Sequence, residues 1–119
     1  MSQFQIKRFE TPDETRTFPN GRLDIVQVGD LTIARGTFEP GWHWQDHIKP
    51  IAGTTSCQVR HIGHIVSGRL GIRMDDGTET EYGEGDVYHI PPGHDGWVIG
   101  DDPAVTFEVT GGATFAKPA

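Results

Sequence analysis

Cysteine is all but missing from this sequence. Cys57 is the only one in 119 residues, so no disulfide can close within a chain, and a reducing cytoplasm is the expected location. Basic residues are scarce as well: ten Lys and Arg stand against seventeen Asp and Glu, a net charge of −7. That balance lacks the clustered basic surface that phosphate backbones need, which argues against nucleic acid as a partner. Long apolar runs are absent too. No stretch approaches the ~20 residues of a membrane-spanning helix, and the first ten residues lack the apolar region of a secretory signal. Only 34% of the residues are hydrophobic. What is plentiful is punctuation: sixteen glycines and eight prolines favour many short strands and turns over long helices. A chain of this length forms one domain that buries roughly two thirds of its unfolded surface.

Read in order, Phe4, Ile6 and Phe9 suggest a first strand by alternation, ended at Thr11-Pro12-Asp13. The same Thr11-Pro12-Asp13-Glu14 also suits the opening turn of a helix, with Pro at the first position and acids following. Phe18-Pro19-Asn20-Gly21 is a turn. Leu23 to Val28 and Leu31 to Phe38 read as strands joined by Gly29-Asp30, the length and type of a tight hairpin. Glu39-Pro40-Gly41 introduces an unusual segment from Trp42 to Ser56. Its His43 and His47 would share one face of a helix, but Pro40-Gly41 before them and Pro50 after them favour an extended, irregular course. In an extended strand Trp42 and Trp44 would face away from His43.

From Cys57 to Trp97 the pattern is clearest. Val59, Ile65, Leu70 and Ile72 mark alternating apolar positions, broken at Ser67-Gly68 and at the Asp75-Asp76-Gly77 turn. A polar strand from Thr78 to Tyr82 leads to Gly83-Glu84-Gly85-Asp86, a short apolar strand and the turn Pro91-Pro92-Gly93. Punctuation every eight to twelve residues is the rhythm of an antiparallel sandwich or small barrel.

These residues resemble the cupin superfamily, whose fold is a double-stranded β-helix, or jelly-roll barrel. The family's first motif ends with a Glu, six residues and a Gly, and here His61 and Gly68 keep that spacing. Its second motif is Gly, five residues, Pro-x-Gly, two residues and His. Gly85 and Pro91-Pro92-Gly93 fit, Gly96 stands where the His belongs, and His94 lies two residues earlier. The resemblance covers roughly residues 38–109, with opening strands in 4–37 and an expected loose tail at 111–119. It implies an all-β single domain and a homodimer formed through barrel edges, with Phe4 to Phe9 as the candidate exchange strand. It implies no single activity, because cupins host many.

The same resemblance frames the candidate site. Cupins commonly bind a metal with three His and one Glu, and His61 stands at the Glu position. Cys57 and Thr55 stand where the family's His-x-His pair would be. Strand parity puts Cys57 and His61 on one face, directed into the barrel, and His64 on the other. His94 follows a rigid turn that aims it at the barrel mouth, and His47 reaches the mouth from the inserted loop. Cys57, His47, His61 and His94 are therefore the candidate metal ligands. For Cys57 a second reading, a small buried apolar residue, stays open. His43 is a weaker candidate, and His64 and His89 read as surface positions. Asp46 and Asp95 are candidate acceptors for imidazole N–H groups, or solvated turn residues. Trp42, Trp44, Trp97 and Tyr88 form a candidate aromatic wall, against which stands ordinary core packing.

Imidazoles with a thiolate suit Zn²⁺, Fe²⁺, Ni²⁺ or Cu²⁺ rather than Mg²⁺ or Ca²⁺. His in place of Glu makes such a centre less anionic, which favours an acidic ligand. The expected function is a metal-holding cupin that binds or acts on a small polar or acidic metabolite. The alternative is a non-catalytic binding or sensor module, metal-free forms included.

Overall fold

In the computed structural model, which describes residues 4–119, the turns fall where glycine and asparagine permit them. Strands β1 (Glu14–Phe18), β2 (Gly21–Val28) and β3 (Leu31–Phe38) form consecutive hairpins. They turn at Asn20 and Gly29, both with positive φ. After a helical insertion come β4 (His61–Ser67), β5 (Arg69–Met74), β6 (Glu79–Gly83), β7 (Val87–Ile90), β8 (His94–Val98) and β9 (Ala104–Thr110). Six strands form one antiparallel sheet in the order β1-β2-β3-β9-β4-β7, and three form a second in the order β6-β5-β8. This is the antiparallel all-β arrangement that the punctuation suggested and the jelly roll that the cupin resemblance implied. No helix among the described residues is long and apolar enough to cross a membrane.

The inner faces of the two sheets supply the core. Leu23, Ile25, Ala34, Phe38, Ile65, Leu70 and Val98 are buried in one cluster, each taken from an inward position of an alternating strand. Burial of side chains this size stabilises by about 1.5–3 kcal/mol each.

Four expectations are corrected. Residues 4–8 form no strand: Phe4 and Ile6 are 98% and 90% exposed. Only the root of that arm is anchored, where Phe9 stacks on Phe107 with a 5.2 Å ring separation. Thr11 to Glu14 forms no helical turn either, since the Asp13 N–H donates to Ile25 O and Glu14 opens β1.

The segment after Gly41 is helical rather than extended, folding into α1 (Trp44–His47) and α2 (Lys49–Ala52). Pro50 is tolerated because it sits in the first turn of α2, where its missing N–H has no partner to lose. Gly53 closes α2 at φ 78°. The tail is not loose: Phe115 is 5% exposed and meets Phe18 and Phe38 edge-on. The Arg16 guanidinium donates to the carbonyls of Gly112, Ala113 and Phe115, and the Ala119 N–H donates to Ala52 O. An aromatic side chain with a core site to fill outweighs the entropy of the tail.

Gly68 turns β4 into β5 and crosses from one sheet to the other. It has φ 80°, and a Cβ there would lie 2.3 Å from Pro103 O and 2.6 Å from Ala104 Cα. Both obstacles are backbone. Gly68→Ala should therefore cost about 3 kcal/mol, from left-handed strain plus overpacking. Gly77→Ala, at φ 91° in open space, should cost only about 1–2 kcal/mol. Urea unfolding of the two variants checks this, and equal losses would refute the backbone clash.

Candidate metal centre

Two strand-opening histidines and one cysteine from an isolated bridge converge at one end of the barrel. His61 opens β4 opposite Ile90 of β7, and parity turns His61, Gly63 and Ile65 inward. Cys57 is held outside any strand by an isolated bridge to His94, with its N–H donating to His94 O at 2.7 Å and its carbonyl accepting from Gly93 N–H at 2.7 Å. His94 opens β8, whose inward positions are His94, Gly96 and Val98. A shift of two residues along a strand keeps the same face. His94 thus reaches the interior although the motif's own His is missing. At Gly96 a Cβ would stand 3.2 Å from Ile72 Cδ1 and 3.5 Å from Gly71 O, with the Trp42 ring in ordinary contact at 3.8 Å.

The resulting group is compact. One ligand atom each from Cys57, His61 and His94 lies within 4.8 Å of the others, and all three residues are buried. Cys57 Sγ is 3.7 Å from His61 Nε2, and the two imidazole rings are 5.3 Å apart. Each imidazole is fixed from behind. His61 Nδ1 lies 2.7 Å from Glu108 Oε1, and His94 Nδ1 lies 2.8 Å from Pro91 O. Both acceptors demand a protonated Nδ1, which leaves Nε2 of each ring as the inward nitrogen. Tyr88 OH donates to the other Glu108 oxygen at 2.7 Å.

Glu108 was not singled out from the sequence. It lies on β9, where Ala104 and Thr106 are buried while Phe107 and Val109 are exposed. The apolar residues of this strand face outward and an acid faces in, the reverse of what alternation suggests. A lone acid within Val-Thr-Phe-Glu-Val was the available signal.

Burial opposes charge on all these groups, and their mutual contacts overcome it for two. Burial raises the Cys57 thiol, but hydrogen bonds from His61 and His94 outweigh it and bring it down to about 6. Burial likewise disfavours the His61 imidazolium, yet Glu108 and Cys57 hold its pKa up, at about 10. Without a metal, the centre is a thiolate–imidazolium pair backed by a carboxylate. The phenols of Tyr82 and Tyr88 are raised, first by burial and then by Glu108, and remain donors.

Other candidates stand elsewhere. His47 is on α1, outside the group of three, with Nδ1 accepting the His43 N–H at 3.0 Å. The spacing of four does bring these two residues together, as a helix cap rather than a ligand pair. His43 Nε2 lies 2.6 Å from Asp95 Oδ2, and its Nδ1 is 3.8 Å from Asp46. Both acids therefore face His43 and not the centre. His64 lies on the outer face of β4, and His89 accepts from Arg60 at the surface. Trp42, Trp44 and Tyr88 line an interior cavity of about 40 Å³ together with His61, His94 and Glu108. Trp97 does not. It faces outward on β8, over Gly71 and 5.9 Å from the His43 ring. A cleft of about 260 Å³ between α2 and the tail reaches Cys57 from outside.

Solved structures with this architecture carry the cupin fold. The oxalate decarboxylase of Lactobacillus farciminis, in its formate complex, superposes with a TM-score of 0.59 at 19% identity over 86% of this chain. The chain spans 32% of that enzyme's length. A protein of unknown function from Rhizobium leguminosarum bv. viciae matches over 100% of this chain and 98% of its own, with a TM-score of 0.57 and 22% identity. A sugar phosphate isomerase of the cupin superfamily from Silicibacter pomeroyi matches at 0.57 and 17% identity, over 80% of this chain and 68% of its own. No protein-family model matches the sequence, and no curated protein does. The fold is a small cupin's, with a buried Cys-His-His group able to hold a metal.

Thiolate absorbance of metal-free protein should titrate with a midpoint near 6 rather than at the ordinary value of 9.0. In His61→Gln the midpoint should rise by about one unit or more, because the thiolate loses its charged neighbour. An unchanged midpoint would show that His61 is not the cause.

Proposed function

We propose that this chain is a metal-dependent small cupin in which Cys57, His61 and His94 hold one divalent transition-metal ion. The observation that carries this reading is the tethering of both imidazoles. Metal-bound His normally passes its other N–H to a carboxylate or carbonyl, and here Glu108 and Pro91 already stand in those places. The donor spacing is suitable as well. Bonds of about 2.3 Å to sulfur and 2.0 Å to nitrogen in a tetrahedral site put S and N about 3.5 Å apart, against 3.7 Å here. A thiolate with two neutral imidazoles suits Zn²⁺, Fe²⁺, Ni²⁺ or Cu²⁺.

Three protein donors leave further positions open to the interior, where a bound ion supplies Lewis-acid character to a small polar or acidic metabolite. The protein's own part is to orient the donors, exclude water and keep Glu108 and Tyr88 hydrogen-bonded. One observation favours the other reading, a metal-free binding module: Cys57 Sγ and His61 Nε2 lie 3.7 Å apart and can satisfy each other without an ion. The exposed arm at Phe4 and Ile6, with half-exposed Phe107 and Val109, supports a homodimer, which a monomer mass by light scattering at micromolar concentration would overturn.

Plasma mass spectrometry on protein from metal-supplemented medium should give about one metal per chain. Cys57→Ser, His61→Ala and His94→Ala should each lose it, while His47→Ala should keep it. A metal-free wild type would sink the reading. Glu108→Gln should fold and bind the metal about 10–100-fold more weakly in chelator competition, through loss of imidazole orientation. Undiminished affinity would remove Glu108 from the centre.

A further inference from the structure

The barrel interior contains two hydrogen-bond donors with nothing to donate to. Trp42 and Trp44 are 5% and 2% exposed, and neither indole Nε1–H has an acceptor among the described residues. A buried unpaired donor is uncommon in a folded protein. Here two occur on residues only two apart, one from the loop before α1 and one from its first position. Both residues line the cavity that His61 and His94 line, while Trp42 also borders the surface cleft beside His43 and Trp44 the cleft beside the tail.

We propose that this cavity binds a small carboxylate, of formate or acetate size, whose oxygens accept from the indole N–H groups of Trp42 and Trp44. The unpaired atoms set the polarity. At this cavity the buried polar side-chain atoms without a partner are both donors, so the ligand must bring acceptors. The internal carboxylate, Glu108, is hydrogen-bonded to His61 and Tyr88 and accepts from neither indole. Two donors from separate side chains suit the two oxygens of one planar group. Size is set by the volume: about 40 Å³ holds roughly three water-sized groups. The proposal rests on the metal reading for its electrostatics, because a divalent ion facing one thiolate keeps a positive charge that a monoanion offsets.

The three tryptophans give three indole N–H signals in a proton–nitrogen correlation spectrum, assigned with Trp42→Phe and Trp44→Phe. Zinc-supplemented protein is titrated with sodium formate and acetate against matched sodium chloride, and zinc content is measured on the same sample. The Trp42 and Trp44 signals should move downfield and saturate, while that of Trp97 stays in place. Each Phe variant should weaken formate binding about tenfold, the loss expected for one hydrogen bond to a charged group. Benzoate, too large for the cavity, should move neither indole. Indoles unmoved by either acid, a uniform movement of all three, or equal binding of benzoate overturns the proposal. One zinc per chain with unmoved indoles overturns it alone and leaves the metal centre standing. Saturable shifts in a sample that retains no zinc uphold the indole site and overturn its dependence on the ion's charge.

Discussion

Ionisable groups persist inside a β-barrel only when each one is partnered. Here a single run of contacts does this, from Cys57 to His61, from His61 to Glu108, and from Glu108 to Tyr88. The chain alternates in charge: a thiolate and a carboxylate flank one imidazolium, and a phenol ends the line. Each member makes the next tolerable. Glu108 offsets the burial that disfavours the His61 imidazolium, and His61, together with His94, offsets the burial that disfavours the Cys57 thiolate. The inverted polarity of β9 follows from this. Outward Phe107 and Val109 expose apolar surface so that Glu108 can face in.

The fold was legible from residues 21–38 and 57–98 because two simple rules held there. Period-two alternation placed side chains on faces, and glycine and proline ended the strands. Those rules put His61 and Cys57 on one inward face and separated His64 from them. They also explain why His94 could stand in for an absent ligand two residues on. Where they failed, a tertiary contact overrode the local pattern. The stretch between Pro40 and Pro50 is short for a helix, yet two single turns fit because Pro50 falls in the first turn of the second. The tail has little local preference of its own, and what orders it is the site for Phe115 beside Phe18, Phe38 and His61. Alternation at Phe4 and Ile6 marked a strand that has no neighbouring strand within one chain.

The site was half legible. The motif spacing pointed to His61, the rigid turn at Pro91-Pro92-Gly93 pointed to His94, and counting back pointed to Cys57. His47 attracted the same reading because the inserted loop could carry it to the barrel mouth, but the loop folds into α1 and His47 Nδ1 accepts the His43 N–H instead. Among the four aromatics, parity rather than residue type sorts them. Trp97 is one residue out of phase with His94 and Gly96 and so falls on the outer face of β8. The acid supporting His61 escaped notice because its strand reads as though it faces the other way.

Charge is where the departure from the cupin pattern becomes intelligible. Read alone, His61 in place of the motif's Glu removes the negative ligand and predicts a more cationic centre. Yet Cys57 stands where a neutral His usually does, and its thiol is already acidic, at about 6. A set of three His and one Glu carries a single negative charge, and so does one thiolate with two neutral His. The two exchanges cancel in charge while removing one donor and softening another. For an ion held by these three groups, the consequences are one more open position and a preference shifted toward thiophilic metals. The carboxylate itself has not left the site. Glu108 stands behind His61, where it would orient a metal-bound imidazole rather than bind the ion itself.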